Sequence, residues 1–511
     1  MKTFPTLIRI LLFFFLTASS CFGAEQVQFR ILHLNDFHGF AEPQRLSGSA
    51  QTAGGLSFLA GSINQFRKHQ PTLLLAAGDF IQGHPWTNLF EGKSTIEAMN
   101  VMGFSAMVLG NHEFDFGQDV LKKRIAEAAF PVLAANVRGF PSVKPYVIKD
   151  ISGLKVGIIG LITEETSTTT HPKNVEGLIF SPVIDTAQQL VRELRNKTDL
   201  IIILSHLGLP ADVALAGAVE GIDIIVGGHS HTRVEKPMIV RNTLIVQAWE
   251  HGKVLGVLDV TVRNKKISGH EGRLIVIDPV QNKPDPPVAQ IVDRYQTQAA
   301  GILNHVIGEA RVDLPGKESR CRETSLGNLV ADILRQQTGA DIALINGGGI
   351  RADIWKGPVR MNDILSVLPF SNRAIVLKVS GQEIKDIFEH GISDPEGKAG
   401  RYPQVSGMQL TYNPANPTGQ RITGFTINGK PLQTDQRYTL ATSDFLAAGG
   451  DGYAAFTRIL KTMNDGGQNT ASENRALFFA SGRDIRDMVI DFIRDKKMIS
   501  AAVENRIRKE D

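Results

Sequence analysis

Val27-Gln28-Phe29-Arg30-Ile31-Leu32-His33-Leu34 runs directly into Asn35-Asp36-Phe37-His38-Gly39, so that an apolar stretch of strand length empties into a turn bearing Asn, Asp and His. The arrangement recurs four times. Apolar runs at 73–77, 106–109, 200–204 and 222–226 lead into Gly78-Asp79, Gly110-Asn111-His112-Glu113-Phe114-Asp115, Ser205-His206 and Gly227-Gly228-His229-Ser230-His231. A further apolar run lies at 155–161. Helical patterns separate these runs. One places Leu56, Leu59, Ile63 and Phe66 on one face, and Ser94-x-x-Glu97 reads as a capping box for a helix that stops at Gly103. Such alternation predicts a layered α/β architecture. Ligands bind at the carboxyl ends of strands in open α/β sheets, so the five polar loops are expected to converge on one crevice.

A chain of 511 residues with 42% hydrophobic content is long enough for two or three cores. The rhythm breaks at Pro279, Pro284, Pro286 and Pro287, and a helical pattern follows at 291–302. A second α/β segment begins near His305, with the helix face Leu326, Leu329, Val330, Ile333 and a capped helix Ser380-x-x-Glu383 ending near Gly391. The expected division is therefore a signal peptide at 1–23, a first domain at 24–278, a linker and connecting helix at 279–304, and a second domain at 305–511. No internal repeat or low-complexity tract is visible.

The first residues have the layout of a secretory signal. Lys2 precedes the Leu- and Phe-rich residues 10–16 and the small residues Thr17, Ala18, Ser19 and Ser20, a stretch too short to span a membrane. Cleavage before Cys21 or after Gly23 fits. A lipid-attachment box would carry Leu where this chain has Ala18. Export to the periplasm is expected, without a lipid on Cys21 and without a transmembrane anchor once the signal is removed. The net charge is +3, of which Lys2 and Arg9 belong to the leader, so nothing in the charge points to a nucleic acid polymer. With Cys21 and Cys321 as its two cysteines, the chain can form at most one disulfide.

The residue types in the five loops suit a pair of divalent ions. Such a pair, about 3.5–4 Å apart, needs one bridging carboxylate with imidazole and oxygen donors completing each shell. Alternation along a strand-like Asp36-x-His38 is expected to aim both side chains at one ion. Asp79 is the natural bridge; Asn111 can offer an amide oxygen to the second ion, His206 and His229 its nitrogens, and His231 returns to the first. Neighbouring Gly39, Gly78, Gly110, Gly227 and Gly228 allow close backbone approach.

In combination these blocks resemble the calcineurin-like metallophosphoesterase domain, and more narrowly the 5′-nucleotidase family with its secreted UDP-sugar hydrolases. The resemblance implies an N-terminal four-layer β-sandwich flanked by helices and a C-terminal α/β domain that binds substrate. It puts one metal on Asp36, His38, Asp79 and His231 and the other on Asp79, Asn111, His206 and His229, with Zn, Mn or a similar ion in both places. Some members carry Gln where this chain has His231. His112 and Asp115 resemble the family's catalytic dyad. A His oriented by a carboxylate beside such a centre can stabilise the phosphoryl transition state and assist the leaving oxygen, while the ions activate water. His33, His84, His171 and His251 match no ligand position and are expected to be structural or supporting.

The second half contains Asn346-Gly347-Gly348-Gly349-Ile350-Arg351 after the run 342–345, then Leu368-Pro369-Phe370-Ser371-Asn372, and later residues 444–453 with Phe445 and Asp451. These resemble the family's C-terminal domain, in which two aromatic rings sandwich the base. The resemblance implies Phe370 and Phe445 as that pair, Asn346, Asn372 and Asp451 as polar contacts, and Arg351 and Arg320 as the arginines facing the anionic part, with Arg322 as an alternative to Arg320. Stacking discriminates poorly between bases, so broad nucleotide specificity is expected. The implied reaction is hydrolysis of nucleoside 5′-monophosphates, with UDP-sugars or 2′,3′-cyclic nucleotides as further substrates, by a monomeric enzyme. Two other readings compete: a thiosulfohydrolase-like hydrolase of another ester, and a catalytically silent nucleotide-binding protein.

Overall fold

The structure is a computed structural model that describes residues 26–46, 51–397, 399–465 and 479–510. The leader and Cys21 lie outside the described residues. Among the described residues no helix is long and apolar enough to cross a membrane.

The run that opens the chain forms the strand Gln26–Leu34, in register with Thr72–Ala77 (Leu32 opposite Leu74), which in turn pairs with Ala106–Val108, all parallel. The antiparallel strands Val254–Arg263 and Lys266–Val276 on one side and the parallel strand Val132–Leu133 on the other complete a six-stranded sheet. A second six-stranded sheet is built around Leu154–Ile162, Leu200–His206 and Ile224–Gly227, also parallel, with Ile202 between Ile158 and Ile224.

Alternation decides what each residue faces. Phe29 and Ile31 point into the space between the sheets with Leu73, Leu75, Ile158, Ile202 and Ile224, while Leu32 and Leu34 point the other way, onto helices. Both faces are buried, so the strands read as nearly unbroken apolar runs. Helices Leu56–Arg67 and Lys93–Met102 cover the first sheet, and Val183–Leu194 and Leu209–Ala218 cover the second, which makes four layers. The helix Pro286–Leu303, opened by an Asp285 side-chain cap, buries Val288, Ile291, Val292 and Tyr295 in the same core. It packs against Leu56–Arg67 and Lys93–Met102 of the first domain and also touches the helix Met361–Val367 of the second.

One helix start differs from the sequence expectation. Lys93–Met102 begins after Gly92 with no side-chain cap; Ser94 lies inside the helix and donates to the Trp86 carbonyl at 3.0 Å, and Glu97 accepts from Tyr295 Oη at 2.8 Å. The tertiary partners outcompete the local cap. At Ser380 the capping box does form: Glu383 N donates to Ser380 Oγ at 3.2 Å and Ser380 N to Glu383 Oε2 at 2.7 Å.

The second domain centres on a five-stranded sheet in the order Pro403–Ser406, Ile342–Asn346, Arg437–Ser443, Arg373–Ser380, Phe479–Asp484. Cores on its two faces hold helices Ser325–Thr338 and Ile485–Lys496 on one side and Gly381–Gly391 and Ala454–Asp465 on the other. Its parallel strands Ile342–Asn346 and Arg437–Ser443 deliver the Gly347–Gly349 turn and the loop from Asp444 toward the first domain.

Candidate metal and nucleotide site

Leaving its strand at Leu34, the chain is stitched to the neighbouring loop by Asp36 N to the Gly78 carbonyl at 3.0 Å and His38 N to the Asp79 carbonyl at 2.9 Å. Asp36 and His38 are both left-handed, at φ 50°, so they reach the same point through a coiled backbone and not through the strand alternation expected from sequence. Asp79, His229 and His231 are left-handed too, at φ 60°, 75° and 51°. Strain of this kind costs on the order of 1–3 kcal/mol per residue and persists where surrounding contacts enforce it. Here those contacts are visible. Asn35 donates to Asp36 Oδ2 at 2.7 Å and to the Trp249 carbonyl at 2.5 Å while accepting from Ala248 N at 2.7 Å.

The result is two triads, Asp36, His38, His231 and Asp79, His206, His229, with the ligand-type atoms of each within 4.8 Å of one another. Asp79 joins them. Its Oδ2 lies 3.2 Å from His206 Nε2 and 3.7 Å from His38 Nε2, while its Oδ1 accepts from His112 N at 3.0 Å. Close approach demands Gly110: a Cβ there would sit 2.2 Å from Asp79 Oδ1 and 2.8 Å from His206 Nε2.

The donor set fits a pair of divalent cations. Asn111 Oδ1 is buried with no hydrogen-bond partner, as a neutral oxygen kept for a cation would be. The far nitrogens of the rings are fixed, His38 Nδ1 by the Gln82 carbonyl at 2.9 Å and His206 Nδ1 by the Ala77 carbonyl at 2.7 Å, which aims each Nε2 inward. The two carboxylates set the charge felt by the rings around them. Burial would lower His206 and His231, yet Asp79 pushes the first up to about 10 and Asp36 pushes the second up to about 9. Burial holds His229 down at about 3.

Three contributors were not foreseen from sequence. Glu113 accepts from Asp79 N at 2.8 Å, Phe80 N at 2.7 Å, Ile81 N at 3.3 Å and Gly110 N at 2.6 Å, so one carboxylate shapes two ligand loops. Burial, then the Asp79 charge, raises it to about 6. Glu113→Ala leaves these buried N–H groups without an acceptor and is expected to cost about 3 kcal/mol or more of stability, read as a lowered unfolding midpoint. The second is Glu250, whose Oε2 meets His231 Nδ1 at 2.7 Å and whose Oε1 takes Lys253 Nζ at 2.5 Å. The third is Thr170, which donates to Asp115 Oδ1 at 2.6 Å. Short motifs carry no signal for partners so far apart in the chain.

His112 stands beside the triads with its ring 5.3 Å from that of His38, and its Nδ1 meets Asp115 Oδ2 at 2.6 Å. Of the weaker candidates, His33 is packed inside the sheet under Gly256, His84 caps the Pro85–Asn88 turn, and His251 stacks on Phe40 at 3.9 Å while joining His231 and Glu250 at the edge of the centre. His171 faces the second domain.

The second domain closes on this centre. Arg351 Nη2 lies 3.5 Å from His38 Nε2, and the Phe370 ring is stacked on His112, 5.7 Å between centroids at 24°. Asn346 Nδ2 donates to Asp451 Oδ2 at 2.6 Å, and Asp451 is left-handed at φ 51°. Phe445 lies 6.4 Å from the His171 ring. Asn372 follows on the Phe370 turn, its carbonyl accepting from Ile485 N at 2.9 Å. Arg322 is exposed and paired with Glu318, whereas Arg320 is half-buried, and burial and then the neighbouring Arg351 lower it to about 10.

Comparison with known proteins agrees. Residues 29–233 match the calcineurin-like phosphoesterase family and residues 306–458 match the 5′-nucleotidase C-terminal domain. The 5′-nucleotidase of Diplobatis ommata is 31% identical over 547 residues, covering 96% of this chain and 92% of that protein. The chain belongs to the 5′-nucleotidase family. It is a metal-dependent phosphoester hydrolase with the two-domain fold of that family. The trifunctional nucleotide phosphoesterase YfkN of Bacillus subtilis is 33% identical over 84% of this chain, which spans only 32% of that longer protein. Among solved structures, a 5′-nucleotidase precursor from Thermus thermophilus superposes with a TM-score of 0.86 at 32% identity, covering 94% of this chain and 99% of that one.

Proposed function

We propose that this 5′-nucleotidase-family enzyme is an exported, periplasmic, monomeric hydrolase that converts nucleoside 5′-monophosphates to nucleosides and phosphate, and that it also accepts UDP-sugars and 2′,3′-cyclic nucleotides. The observation that carries the reading is the stacking of Phe370 on His112, because it sets an aromatic platform for a base beside the group that faces the phosphoester.

In this reading Asp36, His38, Asp79 and His231 hold one Zn, Mn or similar ion, and Asp79, Asn111, His206 and His229 the other. Bound there, the ions supply Lewis-acid activation of water and neutralise phosphoryl charge. The protein does the rest. Phe370 and Phe445 grip the base, Asn346, Asn372 and Asp451 hold polar groups of the nucleoside, and Arg351 and Arg320 hold the anionic phosphoryl group beside the two triads. Asp115 fixes His112 Nδ1–H, leaving Nε2 to pass a proton to the departing 5′-oxygen as water adds to phosphorus and the P–O bond breaks.

Phosphate release from a nucleotide panel and from a base-free ester such as ribose 5-phosphate tests the reading. Nucleotides should be preferred. Phe370→Ala should raise KM for nucleotides by about 5- to 150-fold, since stacking contributes about 1–3 kcal/mol per base, and should leave the base-free ester little changed. Equal turnover of both substrates by the wild type would remove the nucleotide reading.

A further inference from the structure

One loop of the first domain touches both working parts of the cleft. Its turn Thr166–Thr169 packs against Gly450–Gly452 beside Phe445. The next residue, Thr170, is 1% exposed and donates Oγ1 to Asp115 Oδ1 at 2.6 Å, the carboxylate oxygen that His112 does not use. Asn174 Nδ2 adds a bond to the Asp115 carbonyl at 2.9 Å. Between them, His171 places its ring 6.4 Å from Phe445 and its Nε2 4.0 Å from Asp444 Oδ2. Its Nδ1 accepts from Lys173 N at 3.3 Å, so the neutral ring carries its proton on Nε2, toward Asp444. Adjacent residues thus bond the dyad and face the base platform.

We propose that residues 166–175 form a positioning strap: Thr170 orients Asp115, and through it His112, while His171 ties that alignment to the seating of Phe445. The proposal rests on the nucleotidase reading above. The torsion about a carboxylate is broad when nothing holds it. With both oxygens bonded, Asp115 cannot turn, and the imidazole it holds keeps one direction. Thr170 touches no substrate and acts through Asp115 alone. Because residues 170 and 171 are joined by one peptide bond, displacement of the second domain from His171 is transmitted to the hydroxyl.

The test uses the full chain loaded with its ions and two substrates, adenosine 5′-monophosphate and the base-free ester ribose 5-phosphate. Thr170→Val keeps the shape and removes the donor. It should lower kcat on both substrates by about 10- to 100-fold, the loss expected from a slightly misplaced catalytic group, with KM and metal content unchanged. Thr170→Ser should restore most of the rate. His171→Ala should lower kcat/KM for the nucleotide and leave the base-free ester at the wild-type rate. The strap is refuted by a Thr170→Val enzyme within twofold of wild type, by a Thr170→Ser enzyme no better than Thr170→Val, or by a His171→Ala enzyme slowed equally on both substrates. A wild type that turns over only the base-free ester refutes the nucleotide reading instead, and the Thr170 comparison on that ester still decides the positioning role.

Discussion

Replacing His112 with alanine is expected to lower turnover by about 10²- to 10⁴-fold, the range for loss of a positioned general acid, while both ions stay bound. The separation follows from which atoms are used. The His112 link to the bridging carboxylate runs through its backbone N, 3.0 Å from Asp79 Oδ1, and alanine keeps that N–H. Its side chain is committed to Asp115. Elemental analysis of the purified variant alongside phosphate release measures both quantities. An enzyme that loses metal with activity would make His112 a ligand and leave the leaving oxygen without a proton donor.

Asp79→Asn should be at least as damaging, for a different reason. Asparagine tolerates the left-handed conformation nearly as well as aspartate, so the φ of 60° and the acceptor for His112 N survive. What goes is the charge shared by two triads. A carboxylate that bridged two ions would contribute several kcal/mol of ion affinity and transition-state stabilisation, so turnover should fall by about 10³-fold or more and bound metal should drop below two per chain. Elemental analysis at controlled free-metal concentration reads this directly. A variant that keeps two ions would show that another residue bridges them.

The strands and the loops they feed were legible because burial on both faces leaves a simple apolar signature and because the polar residues follow it immediately. The Ser380 cap was legible for a similar reason: its partner is three residues away. What escaped has a common physical character. The left-handed turn at Asp36 and His38 is enforced by Asn35, Trp249 and the Gly78-Asp79 loop, none of which a local pattern can weigh. Ser94 looked like a cap and was claimed instead by the Trp86 carbonyl. Glu113 sat inside a quoted motif, yet besides Gly110 N it holds backbone 32 to 34 residues earlier in the chain. Glu250 and Thr170 likewise act on residues 19 and 55 positions away. Arg320 and Arg322 differ in exposure and in the Glu318 pair, which only the folded chain reveals.

In the proposed function, seven side chains from five strand ends form one two-ion centre that drives hydrolysis of nucleotides. Its most direct test is a metal titration: strip the purified protein with a chelator, return a single kind of divalent ion in steps, and record phosphate release from adenosine 5′-monophosphate against bound metal. A two-ion centre predicts no release from the stripped protein and full activity only as the second equivalent per chain is bound. Release without metal, or full activity at one equivalent, would contradict it.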